Sequence, residues 1–231
     1  MNSYDDDRDI YLLKVNASGE RVWTKRYGKS SGSSAYDEAY DITLASDGSF
    51  FVTGSAAGNI SCCGDAFLMK INAEGDSLWS KSFQQGLGYS LAINEDGTII
   101  IGGMVESNGQ DLYLLKTTAS GEMIWEKTYG GTGFDYGTTV RITSDGGYAI
   151  TGITAQSGSS NQDIMLNKYD ATGTLTWSKT FGGDDVDQGV GLIQHTDGGY
   201  SITGLSNSGG SNIFLNRTDN TGTETWQKHL K

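Results

Sequence analysis

Proline is absent from all 231 residues, where average usage of about 5% would supply roughly a dozen. Collagen, proline-rich linkers and polyproline ligands are thereby excluded. Cysteine is nearly absent too: Cys62 and Cys63 are neighbours, and adjacent residues bridge only through a strained ring, so no disulfide framework holds the fold. The pair reads as two free thiols in a loop, with a vicinal disulfide or a metal role as the alternatives. No stretch approaches the length of a membrane span, and the opening run from Met1 to Arg8, with Asp5, Asp6 and Asp7, has neither the basic nor the apolar region of an export signal. The chain as given is therefore expected to carry no signal peptide and to insert in no membrane. Positive charge is scarce: 16 Lys and Arg stand against 28 Asp and Glu, a net charge of −12, which repels polyphosphate. Nucleic acid and anionic membrane are disfavoured as partners.

What the chain does have is glycine, 34 residues, and large aromatics: five Trp, twelve Tyr and seven Phe. That apolar area argues for an ordered, turn-rich protein. The tryptophans, Trp23, Trp79, Trp125, Trp177 and Trp226, are spaced by 56, 46, 52 and 49 residues, and each heads a copy of one motif. Four residues before each Trp stands glycine (Gly19, Gly75, Gly121, Gly173, Gly222). Eleven before stands leucine, nine before a basic residue (Lys14, Lys70, Lys116, Lys168, Arg217), and two after a lysine.

Between these copies lies a second motif, an Asp-Gly turn at Asp47, Asp96, Asp145 and Asp197, flanked by apolar runs and followed seven residues on by Gly54, Gly103, Gly152 or Gly204. Asp145 is followed by Gly146 and Gly147 in that pattern. Both motifs read as β-hairpins: short β-branched or aromatic runs around a tight turn that needs a positive φ. No segment sustains a 3.6-residue period with caps. The expected fold class is all-β.

Two hairpins per repeat of about 50 residues give four antiparallel strands, the content of a β-propeller blade. The Trp hairpin is assigned to the outer pair and the other, with small residues such as Gly137, Gly189 and Gly191 in its first strand, to the crowded inner pair. The tryptophans are expected to pack between neighbouring blades. Five Trp hairpins against four inner hairpins predict about 18 strands and most simply five blades, the first incomplete, within one domain over 1–231 (repeats near 9–28, 36–83, 88–130, 134–183 and 187–231), the other readings being a piece of a longer propeller or subunits that complete one another. The unmatched first hairpin exposes strand edges that invite pairing with another chain, so a homo-oligomer is a live expectation.

The run Tyr169-Asp170-Ala171-Thr172-Gly173-Thr174-Leu175-Thr176-Trp177 resembles the docking motif of PQQ-type and tryptophan-docking propellers. The wider pattern, Trp177 to Gly183 followed by Asp197 to Gly204, resembles a propeller repeat of secreted and surface proteins of bacteria and archaea. The resemblance covers nearly the whole chain. It implies an extracellular or cell-surface location and a scaffold or binding role, and it carries over no catalytic residue.

One face of such a fold gathers the links between repeats and the loops joining second to third strands: here 29–38, 84–88, 130–136 and 182–188, with 56–64, 106–110, 155–162 and 206–210. Asp37, Asp135 and Asp187 each stand ten residues before an Asp-Gly turn, at the start of an innermost strand. Together with Tyr136 they are candidate ligand-binding residues. A ring of carboxylates there could hold Ca²⁺ or sugar hydroxyls, although their blade-wide recurrence favours the reading that each caps or braces its own turn. Asp184 and Asp185 break the repeat and are the better candidates for something specific. No catalytic or metal-ligating set emerges: carboxylates that obey a repeat share one environment, whereas an acid and base pair needs unlike ones. No phosphate loop, dinucleotide fingerprint or nucleophile elbow is present. The leading expectation is a non-enzymatic binding or structural module for carbohydrate or protein, needing no cofactor. The alternative is an enzyme, a quinone-cofactor dehydrogenase or a glycoside hydrolase.

Overall fold

Seventeen strands and no helix make up the described residues of the computed structural model, which are 8–28, 36–58, 64–106, 109–155, 159, 161–207 and 212–230. Cys62, Cys63 and the Asp5 to Asp7 run lie outside them. The chain forms two compact units, Met1–Gly88 and Tyr89–Lys231. In the first, β1 (Ile10–Val15) and β2 (Arg21–Tyr27) form a two-stranded hairpin, and β3 (Tyr36–Leu44), β4 (Phe50–Gly58), β5 (Asp65–Ile71) and β6 (Ser77–Ile93), whose residues from Tyr89 on belong to the second unit, follow one another antiparallel. In the second, β7 (Ile99–Glu106), β8 (Gln110–Thr117) and β9 (Met123–Tyr129) pair in sequence. Two further antiparallel sets come after them: β10 (Phe134–Ile142), β11 (Tyr148–Ala155), β12 (Asp163–Tyr169) and β13 (Leu175–Phe181), then β14 (Asp187–Gln194), β15 (Tyr200–Ser206), β16 (Asn212–Thr218) and β17 (Glu224–Leu230).

The strand count corrects the sequence reading, which places a loop at 84–88. β6 instead runs unbroken for 17 residues. Gln85 is still in register with Asp65, and the Gly86 amide donates to Gly64 O at 2.8 Å, so extended backbone satisfies itself there without a turn. The corresponding links Gly130-Gly131-Thr132-Gly133 and Gly182-Gly183-Asp184-Asp185 carry the glycine pairs that let the chain leave the sheet.

The hairpins close with one repeated turn. At its second copy the Gly75 amide donates to Asn72 O at 3.0 Å, the Asn72 amide donates to Asp76 O at 3.0 Å, and Gly75 sits at φ 82°, a region that other residues enter only at a cost. Asn72 Oδ1 accepts the Glu74 and Asp76 amides at 3.1 and 2.7 Å, a side-chain mimic of the turn that explains Asn or Asp at the first position in four of the five Trp hairpins.

Each unit has its own core. In the first, Val52, Phe67, Met69 and Ile71 pack with Ile10 and are flanked by Trp23 and Tyr27. In the second, one cluster joins Ile100, Leu112, Val140, Tyr148, Ile150 and Met165 beneath Trp125, and another joins Ile164, Leu166, Leu192, Tyr200, Ile202 and Phe214 beside Trp177. Successive sheets within a unit meet the same way each time. Trp23 lies on Gly75, where a Cβ would come within 3.1 Å of the indole and 2.9 Å of Lys25 Cγ. Trp125 lies on Gly173 and Trp177 on Gly222, with the added Cβ at 2.8 and 2.6 Å. The Trp23 indole N–H donates to Ala73 O at 3.1 Å and the Tyr27 hydroxyl to Gly75 O at 2.6 Å. Glycine at that turn thus answers two demands, a left-handed φ and room for the neighbouring ring.

A second repeated device links the two motifs. The basic residue nine before Trp reaches the aspartate of the inner turn: Lys70 to Asp47 at 2.9 Å, Lys168 to Asp145 at 2.8 Å and Arg217 to Asp197 at 2.6 Å. Lys14, in the hairpin that precedes β3, donates instead to Ala73 O at 2.8 Å.

Candidate functional site

The inner strands begin where short parallel bridges stitch the links between repeats: Arg8 to Tyr36 in the first unit, Gln110 to Phe134 and Gln162 to Val186 in the second. These stitches deliver the aspartates. The Asp37 amide donates to Arg8 O at 2.7 Å and the Asp187 amide to Gln162 O at 2.6 Å, so each aspartate side chain turns toward the glycine that closes the preceding Trp hairpin. A Cβ on Gly28 would strike Asp9 Oδ1 and stand 3.0 Å from Asp37 Oδ2. One on Gly130 would strike Asp111 Oδ1 and stand 3.1 Å from Asp135 Oδ2. At Gly182 the same atom would meet Asp163 Oδ1 at 2.5 Å and Asp187 Oδ2 at 2.7 Å.

Each repeated aspartate therefore has a carboxylate companion, Asp9, Asp111 or Asp163, which sequence reasoning did not single out. The signal was available: all three stand fourteen residues before Trp. Asp37 and Asp187 are buried, and Asp135 is half-buried. Asp187 Oδ2 accepts the Gly183 amide at 2.8 Å, and Asp135 Oδ1 accepts the Thr154 hydroxyl at 2.5 Å. Burial, with the charge of Asp111 added, raises the Asp135 carboxyl above its usual range against the Thr154 and Gly131 bonds that lower it. Burial and the charge of Asp187 raise Asp163 likewise. Two carboxylates around one small residue favour a shared proton or a cation over two free charges. Among the described residues no group of three or more His, Cys, Asp or Glu converges as metal ligands, and the acids come in twos.

In the second unit the inner strands β10 and β14 are tied together by Thr138 Oγ1 donating to Gly189 O at 2.6 Å and Thr139 Oγ1 donating to Val190 O at 2.8 Å. That stitch holds Tyr136 and Asp187, each two residues back along its strand, at one level. Tyr136 is half-buried against Tyr89, with ring centroids 5.9 Å apart, and burial raises its hydroxyl pKa. Asp184 and Asp185 are exposed in the link before β14. Beside them Asn161 Nδ2 donates to Gly183 O at 3.0 Å, and Gln188 Nε2 donates to Gln162 Oε1 at 3.5 Å. This end of the unit thus offers aromatic rings, free carboxylates and amide side chains together. Asp37 belongs to the first unit, beside Asp9.

No family model matches the chain, and no curated protein matches its sequence. Solved structures do resemble it. The Dos1 propeller matches with a TM-score of 0.54 and 15% identity over 94% of this chain, which spans 51% of that one. A protein of unknown function from Dyadobacter fermentans matches with a TM-score of 0.55 and 13% identity, over 83% of this chain and 68% of its own. An ulvan lyase, from a family of polysaccharide lyases and bound to a GlcA(1-4)Rha3S saccharide, matches with a TM-score of 0.60 and 10% identity, over 83% of this chain and 55% of its own. At such identities the likeness speaks to fold alone. The all-β sheets described above are those of a β-propeller.

Proposed function

We propose that the chain is a non-enzymatic binding module that takes a neutral carbohydrate at the loop end of its second unit. The observation that carries this reading is the split among the acids. The repeated aspartates are drawn into pairs and hold loop backbone, whereas Asp184 and Asp185, which break the repeat, remain open to solvent in the link before β14. At the same end stand the Tyr89 and Tyr136 rings and the amides of Gln162 and Gln188. Ring faces for C–H surfaces, with carboxylates and amides for hydroxyls, are what a sugar requires of a shallow site. The lyase among the structural neighbours, bound to a saccharide, lends support by fold analogy only.

A second reading, a protein ligand with a basic segment, is favoured by the net charge of −12 and the exposure of the same two acids. The enzymatic alternatives draw less support, because the carboxylates with raised pKa sit in arrangements repeated at Gly130 and Gly182 rather than in one unlike pair. The binding role requires no cofactor, although calcium at a carboxylate pair remains open to the same assay. A location at the cell surface or outside the cell rests on the resemblance of the repeat.

The test is a glycan array followed by titration calorimetry of the hits, with and without calcium. Saturable binding without new reducing ends, weakened tenfold or more by Tyr136→Ala and by Asp184→Ala with Asp185→Ala, supports the proposal. Bond cleavage, or affinity untouched by those substitutions, overturns it. Capture of basic peptides in place of glycans would transfer the site to the second reading.

A further inference from the structure

We propose that a second copy of this chain seats its β1–β2 hairpin on the β14–β17 sheet, with Trp226 of one copy lying on Gly19 of the other. The inference is independent of the loop-end site and rests on a contact that the chain makes repeatedly within its own units. Trp23, Trp125 and Trp177 each lie on the turn glycine of the next Trp hairpin. Gly75, Gly173 and Gly222 are accordingly buried. Gly19 is exposed, with no atom within 4 Å of where its Cβ would stand, and Trp226 is 45% exposed. One motif therefore presents an open glycine and another an open ring.

The sheet faces around them agree position by position. Counting twelve, ten and eight residues back from Trp79 gives Phe67, Met69 and Ile71, which are 2%, 4% and 0% exposed beneath Trp23 and Tyr27. The same positions before Trp23 hold Tyr11, Leu13 and Val15, which are 61%, 54% and 49% exposed. On the complementary face, Ile164 and Leu166 are fully buried beside Trp177, whereas the equivalent Ile213 on β16 is 50% exposed. An apolar face that is covered in one copy of a motif and bare in another calls for a cover of the same chemistry.

Charge selects the same partner. Lys25, two residues after Trp23, donates to Asp76, which follows Gly75, at 2.8 Å. Lys228 stands two residues after Trp226, and Glu20 follows Gly19. Seating one hairpin on the other sheet would bring Lys228 to Glu20 as Lys25 is brought to Asp76. The two faces differ, so the contact is head to tail and each copy offers one of each.

Light scattering coupled to gel filtration tests the idea on the 231-residue chain. The expected mass exceeds the 24.7 kDa of one chain and rises with concentration. Leu13→Glu and Trp226→Glu, both at exposed positions, should each give monomers with unchanged circular dichroism, because each destroys one of the two faces. Their equimolar mixture should give a dimer and nothing larger, since one intact face of each kind remains. Lys228→Glu should weaken self-association, and mixing it with Glu20→Lys should restore it. A wild-type chain that stays monomeric from micromolar to near-millimolar concentration overturns the proposal. So does a Trp226→Glu chain that still dimerises alone, which would mean a symmetric contact.

Discussion

The β12–β13 and β16–β17 hairpins are near copies of one motif with opposite fates. Leu166 and Leu215, Lys168 and Arg217, Gly173 and Gly222, Trp177 and Trp226 correspond one to one. Yet Leu166 is fully buried and Trp177 rests on Gly222, whereas Trp226 and Ile213 face solvent. The motif encodes only half of an interface, and the energy it stores is released when a second hairpin supplies the glycine. Substitutions at matched positions of the two copies therefore separate what a residue does within its own hairpin from what it does across a junction.

The largest difference is expected at the indoles. Trp177→Ala should lower unfolding stability by about 2 to 4 kcal/mol, the range for removing a large side chain from a packed contact. Trp226→Ala should change it by less than about 0.5 kcal/mol in dilute solution. Denaturant melts of both variants at low concentration make the comparison, and equal losses would mean that the rings act within their own hairpins. The glycines under them give the next step. Gly222→Ala meets both a φ of 75° and the Trp177 ring at 2.6 Å, and should cost about 2 to 3 kcal/mol. Gly19→Ala meets only its φ of 79° and should cost about 1 kcal/mol. The excess in the first over the second measures the indole contact alone.

These contrasts also show what could be read from the residues in advance. The spacing of Trp, Gly and Asp-Gly carries strand order and turn chemistry, because a turn is a local event and a repeated one announces itself. Partners across strands were hidden. Lys168 meets Asp145 from a strand twenty-three residues away, and Asp163 meets Asp187 through a stitch between two loops. Nothing in either local pattern names the other. The unbroken β6 was missed for a related reason: Gln84 to Gly88 holds two glycines, and only the pairing of Gln85 with Asp65 shows that neither makes a turn. For the same reason the companions Asp9, Asp111 and Asp163 read as the first residues of strands rather than as half of a carboxylate pair.

The ion pairs sharpen the comparison through pH. Burial works to raise Asp145, but its bonds to Lys168, Thr143 and Gly147 hold it at about 2. A carboxyl lowered on folding adds stability above its unfolded value, near 3.9, and loses it as pH falls through about 2. Asp145→Asn leaves the buried Lys168 without its anion and should cost about 1 to 2 kcal/mol at neutral pH, the exposure of Asp145 keeping the loss below that of a fully buried pair. Thermal melts from pH 6 to pH 2 should show the wild type and the variant converging at the acid end. A constant gap would mean that Asp145 contributes through packing. Asp197, lowered first by its bond to Arg217 in the later copy, should show a change of the same sign, since this contact lies within one sheet and needs no neighbour.

The smallest effect separates the two hairpins at their first residue, where β12 has Asp163 and β16 has Asn212. Asp163 is raised by burial and by Asp187, so the fold favours its protonated form. The sign is then the reverse of Asp145: the ionised group subtracts stability above its unfolded pKa, and acid relieves the penalty as pH falls through the raised value. Asp163→Asn, which copies the later hairpin, should leave the fold as stable as before at pH 3, below the unfolded value near 3.9, and slightly more stable at pH 7, by less than about 0.5 kcal/mol because Asp163 itself is partly open to solvent. Melts of the variant at both values decide it. A loss at pH 7 would show that the charge on Asp163 is used by the fold, and the two carboxylates around Gly182 would then have to be read as a site that keeps a cation rather than a shared proton.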